Sequence, residues 1–201
     1  MNIKYFLILV GLLSLSTPAQ GDVIRDRFVA GLVQAAKERT LHDVTYDGSY
    51  FSISYPNGDV PANIGVCTDV VIRSFRKVGV DLQQKVHEDM LENFDLYPSK
   101  KIWDLNRPDK NIDHRRVPNL RIFFERFGHA LVITRHAKDY LPGDLVTWML
   151  PKNLPHIGIV IDKKSDDGKR PLIAHNIGKG PKINDILFDY QITGHYRYTG
   201  E

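Results

Sequence analysis

The chain has 201 residues, 27 Lys plus Arg against 24 Asp plus Glu, and is 42% apolar, 25% charged and 10% aromatic. That profile fits one ordinary globular domain and excludes wholesale disorder, a coiled coil or a multi-pass membrane protein. A net charge of +3 is too small to make nucleic acid the expected partner, and a single cysteine excludes an internal disulfide framework or a multi-cysteine zinc site.

In chain order, Met1-Asn2-Ile3-Lys4-Tyr5 leads into the apolar run Phe6 to Leu15, followed by Ser16-Thr17-Pro18-Ala19-Gln20. A cationic start, a short apolar core and small residues at Thr17 and Ala19 make a secretory signal peptide over residues 1–19. The run is shorter than the ~20 residues a membrane-spanning helix needs, so no stable span is expected after cleavage, and no cysteine follows it to carry a lipid. Cleavage near Ala19 leaves residues 20–201 as a single exported domain, periplasmic or extracellular. An uncleaved amphiphilic anchor is the alternative. Exported chains usually carry cysteines in pairs or none, so the lone Cys67 is either buried and inert or kept for its reactivity.

The mature chain shows no internal repeats or long linkers. Apolar spacing predicts a helix over Val23 to Arg39, a short strand over Tyr50 to Tyr55 and a second helix from Cys67 to Lys77. Gly79 ends that helix, and Asp81 opens another to about Phe94. Tyr97 to Pro118 is polar, basic and loop-like, and Val117 to Phe127 resumes helical periodicity, ended by Gly128. Strand patterns follow at Ala130 to Thr134, Asp144 to Trp148, His156 to Ile161, Leu172 to His175 and Tyr196 to Tyr198. Gly178 to Lys182 reads as a turn. Helices first and short strands afterwards give an α+β fold with a mostly antiparallel sheet.

Cys67 stands where turn composition gives way to a helix. Free backbone N–H groups and the macrodipole there favour an anion, which lowers a thiol pKa. The competing reading is a core stripe of Cys67, Val71, Phe75 and Val78. A thiolate nucleophile needs a base. Of the eight histidines, His156 opens a strand in which Gly158 clears the space beside it for a close approach, taken here to be the helix carrying Cys67. If the next hairpin is symmetric about Asp166-Asp167, Gly158 faces His175, which then lies diagonal to His156, within ~7–8 Å between backbones. A one-residue slip puts Asn176 there instead.

Cys67 at a helix start, then Pro142-Gly143-Asp144-Leu145-Val146-Thr147-Trp148, His156-Ile-Gly-Ile-Val and Ile173-Ala-His175 resemble the NlpC-type cell-wall cysteine peptidases, compact relatives of papain. The similarity is nearest to a secreted bacterial set catalogued as a domain of unknown function. It covers about Tyr50 to Tyr198. Where the NlpC pattern usually has Asp before the cysteine and Ser-Gly after it, this chain has Val66 and Thr68-Asp69. The resemblance implies a papain-like NlpC-type fold and attack by the Cys67 thiolate on an amide carbonyl. In it His156 is base and then acid, His175 (or Asn176) orients the imidazole, and the Cys67 N–H contributes to the oxyanion hole. Tyr50, Tyr55 and Asp69 are candidates for the oxyanion site or substrate contact. The implied substrate is a peptidoglycan stem peptide or muropeptide, with no metal and no cofactor. Two rivals from other classes are a metal hydrolase using His156, His175 and Asp69, without any HExxH signature, and a non-catalytic wall-binding module on the same fold.

Overall fold

The computed structural model describes residues 18–200. The expected leader lies outside them except for its last two positions. Helix α1 (Pro18–Arg39) is exposed over residues 21–27 and turns Leu32, Val33, Ala35 and Ala36 inward. Two short strands, β1 (Thr45–Tyr46) and β2 (Ile64–Gly65), pair in parallel, with Tyr46 beside Gly65. Helix α2 (Cys67–Lys77) follows at once, burying Val71 and Phe75. Helix α3 (Leu82–Asn93) is opened by Asp81, whose carboxylate accepts the Gln83 N–H at 2.9 Å, a cap contributing about 1 kcal/mol. Helices α4 (Ser99–Trp103) and α5 (Val117–Phe127) complete the helical half.

Strands β3 (His129–Ala130), β4 (Leu145–Leu150), β5 (Leu154–Lys164), β6 (Pro171–Asn176), β7 (Pro181–Asn184) and β8 (Gln191–Arg197) form one sheet in the order β3-β8-β4-β5-β6-β7. Every pairing in it is antiparallel. The fold is therefore α+β. Strand alternation divides the core in two. Leu145, Ile157, Ile159, Ile161, Ala174 and Tyr196 meet residues of α1, α2 and α5, Cys67 among them. Val146, Trp148, Val160 and Ile173 face the other way, under Tyr140, Ile186 and Leu187. Among the described residues no helix is long and apolar enough to cross a membrane.

Five expected elements differ, one of them the terminal strand expected at Tyr196 to Tyr198, which is the seven-residue β8 and stops at Arg197. Tyr50 to Tyr55 has alternating exposure but no strand partner; the Ile53 N–H is instead given to the Asn111 side chain at 3.1 Å. The expected strand from Ala130 to Thr134 is the two-residue β3, shifted one residue toward the N-terminus. The stretch expected to be a loop before α5 contains α4 and a 3-10 turn at Asp113–Arg115. Pro181 and Lys182, expected in a turn, begin β7.

Candidate active site

Cys67 is the first residue of α2 and is buried. The first turn of a helix has backbone N–H groups without intrahelical partners. Those of Cys67 and Thr68 both bear on the sulfur, as does the N–H of Ile157 from β5. The Ile157 contact matters most for placement, because it puts Sγ one peptide unit from His156. Burial, with a smaller push from the Asp69 carboxylate, nevertheless raises the thiol from an ordinary 9.0 to about 11. Cys67 is a protonated thiol at neutral pH.

His156 and His175 come together. Nε2 of His156 lies 3.1 Å from Nδ1 of His175, with the rings nearly perpendicular at 85°. The β5–β6 register makes this pair, since Ile159 opposes Ala174 and Val160 opposes Ile173, as in the symmetric hairpin. Gly158 permits the close approach, but the neighbour is β6 and not the Cys67 helix. A Cβ there would lie 2.6 Å from Ile173 Cγ2 and 3.1 Å from His175 Cβ. By the same register the two histidines share the Trp148 face of the sheet, while Cys67 packs with Ile157 on the helical face. The β5–β6 ladder begins only at Ile159 and Ala174, and it is at this open end of β5 that the sulfur meets the Ile157 amide. Burial lowers the His156 pKa to about 3 and that of His175 to about 4, so both are neutral at pH 7. The second nitrogen of His175, Nε2, is 3.2 Å from Oδ1 of Asn184 on β7.

Asn176 sits elsewhere. Its Nδ2 donates to the Gly65 carbonyl at 3.3 Å and its Oδ1 accepts the Gly178 N–H at 3.0 Å, tying the end of β6 to the segment that leads into Cys67. Asp69 is fully engaged by a buried ion pair: Oδ1 accepts from Arg115 Nε and Oδ2 from Arg115 Nη2, each at 3.0 Å, and Oδ2 also accepts the Val66 N–H at 2.6 Å. Both of its oxygens are engaged inside the fold. Tyr50 and Tyr55 are engaged with other partners. The Tyr50 hydroxyl donates to Asp109 Oδ2 at 3.0 Å, and the Tyr55 ring stacks edgewise on His87.

The tyrosine beside the sulfur is Tyr46. Its hydroxyl contacts Cys67, and burial and the neighbouring Cys67 and Asp69 raise its pKa to about 12. It is brought there by β1, paired to β2 just before α2. Arg115 holds the following loop in place through the Ser49 carbonyl at 3.1 Å and the Asp47 carbonyl at 3.3 Å. Sequence spacing missed Tyr46 because a two-residue strand leaves no periodic trace. Over the sulfur runs a groove of about 350 Å³ lined by Tyr46, Cys67, Trp103, Arg115, Arg116 and Pro155, among others. The Arg116 guanidinium lies over the Trp103 ring at 4.1 Å and is paired with Asp113 at 3.1 Å. Among the described residues no group of three or more His, Cys, Asp or Glu side chains is placed to hold a metal ion.

Over 167 residues the chain is 48% identical to the Escherichia coli (strain K12) protein described as "Uncharacterized protein YijF", covering 83% of this chain and 80% of that one. The family model described as "Domain of unknown function (DUF1287)" matches residues 33–198, a span that holds Tyr46, Cys67, His156, His175 and Asn184. The chain belongs to this DUF1287 family.

Proposed function

We propose that the protein is an exported cysteine amidohydrolase on a papain-like, NlpC-type fold, hydrolysing an amide bond in peptidoglycan stem peptides or muropeptides. The observation that carries the reading is the sulfur at the start of α2 lying against the Ile157 N–H, next in sequence to a histidine whose far nitrogen is held by a second histidine. With Nε2 of His156 engaged, Nδ1 is the nitrogen left to act as base, and it must reach the thiol round the open end of β5.

Both groups rest neutral, so the chemistry is general-base attack. His156 Nδ1 takes the thiol proton as the sulfur bonds to the carbonyl carbon. The imidazolium then gives that proton to the leaving nitrogen as the C–N bond breaks. Water attacks the thioacyl carbon by the same route, restoring the thiol and releasing the acid. The negative charge that develops on the carbonyl oxygen meets the first-turn N–H groups of α2 and the Tyr46 hydroxyl. Losing one such donor typically costs ~2.7–4 kcal/mol of transition-state stabilisation. The aromatic and basic groove wall of Trp103 and Arg116 suits a peptide that carries a carboxylate.

Purified sacculi are incubated with wild type and with Cys67→Ala, and the released fragments are identified by mass. Wild type is expected to release muropeptide fragments that Cys67→Ala does not. Identical profiles from two equally folded proteins overturn the proposal.

A further inference from the structure

The two contacts in line from His156 to β7 have a direction, because each neutral imidazole has one nitrogen that donates and one that accepts. We propose that Asn184 is a positioning residue that fixes the tautomers of both histidines, leaving a lone pair on His156 Nδ1. Oδ1 of Asn184 can only accept, so His175 Nε2, 3.2 Å away, carries the hydrogen. His175 is neutral, and its Nδ1 is therefore an acceptor. At 3.1 Å that acceptor requires the hydrogen of His156 to sit on Nε2. His156 is neutral as well, which leaves Nδ1 unprotonated.

The near end fits the same direction. A general base for a protonated thiol must present an unprotonated nitrogen, which is what Nδ1 then is. With the Asn184 amide reversed, every hydrogen shifts by one place and His156 Nδ1 carries an N–H, which leaves no base on that nitrogen. Asn184 also favours the charged form of His175 through the same hydrogen bond, so it supports the ring that must stabilise an imidazolium at His156 during turnover. It lies on the exposed side of β7, opposite Ile173 in the ladder, so it can be changed without opening the core.

The inference about catalysis rests on the amidohydrolase reading, but the tautomers themselves do not. The test is long-range ¹⁵N–¹H NMR of the histidine rings in the resting full-length protein, for wild type, Asn184→Asp and Asn184→Leu. Wild type and Asn184→Asp, both with an acceptor at this position, are expected to show His156 and His175 protonated at Nε2 alone. Asn184→Leu is expected to show tautomer averaging at both rings with an unchanged melting temperature. A wild-type His156 protonated at Nδ1, or an Asn184→Leu spectrum identical to wild type, overturns the proposal whatever the activity. Where the sacculus assay is positive, Asn184→Leu is expected to lower kcat about fivefold, the worth of one neutral hydrogen bond, with KM unchanged and activity retained by Asn184→Asp. Failure of Cys67 to matter in that assay overturns the amidohydrolase reading and leaves the spectra to decide the tautomers.

Discussion

Alkylation of Cys67 as a function of pH tests the electrostatics of the site without reference to any substrate. The rise of its pKa from 9.0 to about 11 lowers the thiolate fraction at neutral pH by about 100-fold, one factor of ten for each pH unit. A more basic thiolate is also a better nucleophile, and a Brønsted slope of about 0.4–0.5 returns about eightfold of that loss. The folded thiol should thus react with iodoacetamide at least about tenfold more slowly than the same thiol in urea, and steric burial can only widen the gap. Its log rate should climb with unit slope from ~pH 6 to ~pH 10 without levelling, because only the thiolate reacts and its fraction keeps rising. The assay is mass-resolved alkylation kinetics on native and denatured protein. A plateau between ~pH 6 and ~pH 8 would mean a standing thiolate–imidazolium pair and would refute the argument that burial keeps both groups neutral.

Further outcomes follow from the packing. Arg115→Met leaves the Asp69 carboxylate charged and nearly inaccessible, and urea denaturation should record a loss of about 3–5 kcal/mol. Gly158→Ala places a methyl 2.6 Å from Ile173 Cγ2 and 3.0 Å from the Ala174 carbonyl; forcing β5 and β6 apart should cost about 1–3 kcal/mol in thermal or urea melts, and an unchanged midpoint would contradict the close approach. Acid stability has a definite sign. His114, His156 and His175 are held to about 3 or 4 when folded against 6.5 ordinarily, so the unfolded chain binds more protons below pH 6.5 and stability falls as the pH drops. Asp113, raised from 3.8 to about 6, binds its proton preferentially in the folded state and offsets one of the three. Near pH 5 the slope should approach about 3 kcal/mol per pH unit, and a urea midpoint that is flat from pH 6.5 to 4.5 would contradict it.

What could be seen in the sequence depended on whether a residue acts through a repeating pattern. Cys67 to Lys77 is an apolar stripe with a glycine stop, and the helix occupies those residues. The His156–His175 contact was legible because a symmetric hairpin and a period of two place both on one face. The faces themselves were not. Nothing in a strand of alternating isoleucines says which side a helix will cover, so the space at Gly158 was assigned to the wrong neighbour. Tyr46 and Asn184 escaped for opposite reasons. The strand holding Tyr46 is too short for periodicity, while the strand holding Asn184 begins at Pro181, just after two glycines that signal a turn. Asp69 looked available because its partner Arg115 is 46 residues away in sequence, within a run whose composition suggested solvent.

The sulfur packs in the cluster beneath the helices, whereas the histidines lie on the opposite, Trp148 face of the sheet, the face covered by Tyr140, Ile186 and Leu187. A reaction that needs both, as proposed, would require both layers intact, and cooperative units of a fold open with their own free energies. Such an activity would be lost when the less stable layer opens, before the remainder of the molecule unfolds. It would report whether the sheet is covered on both sides.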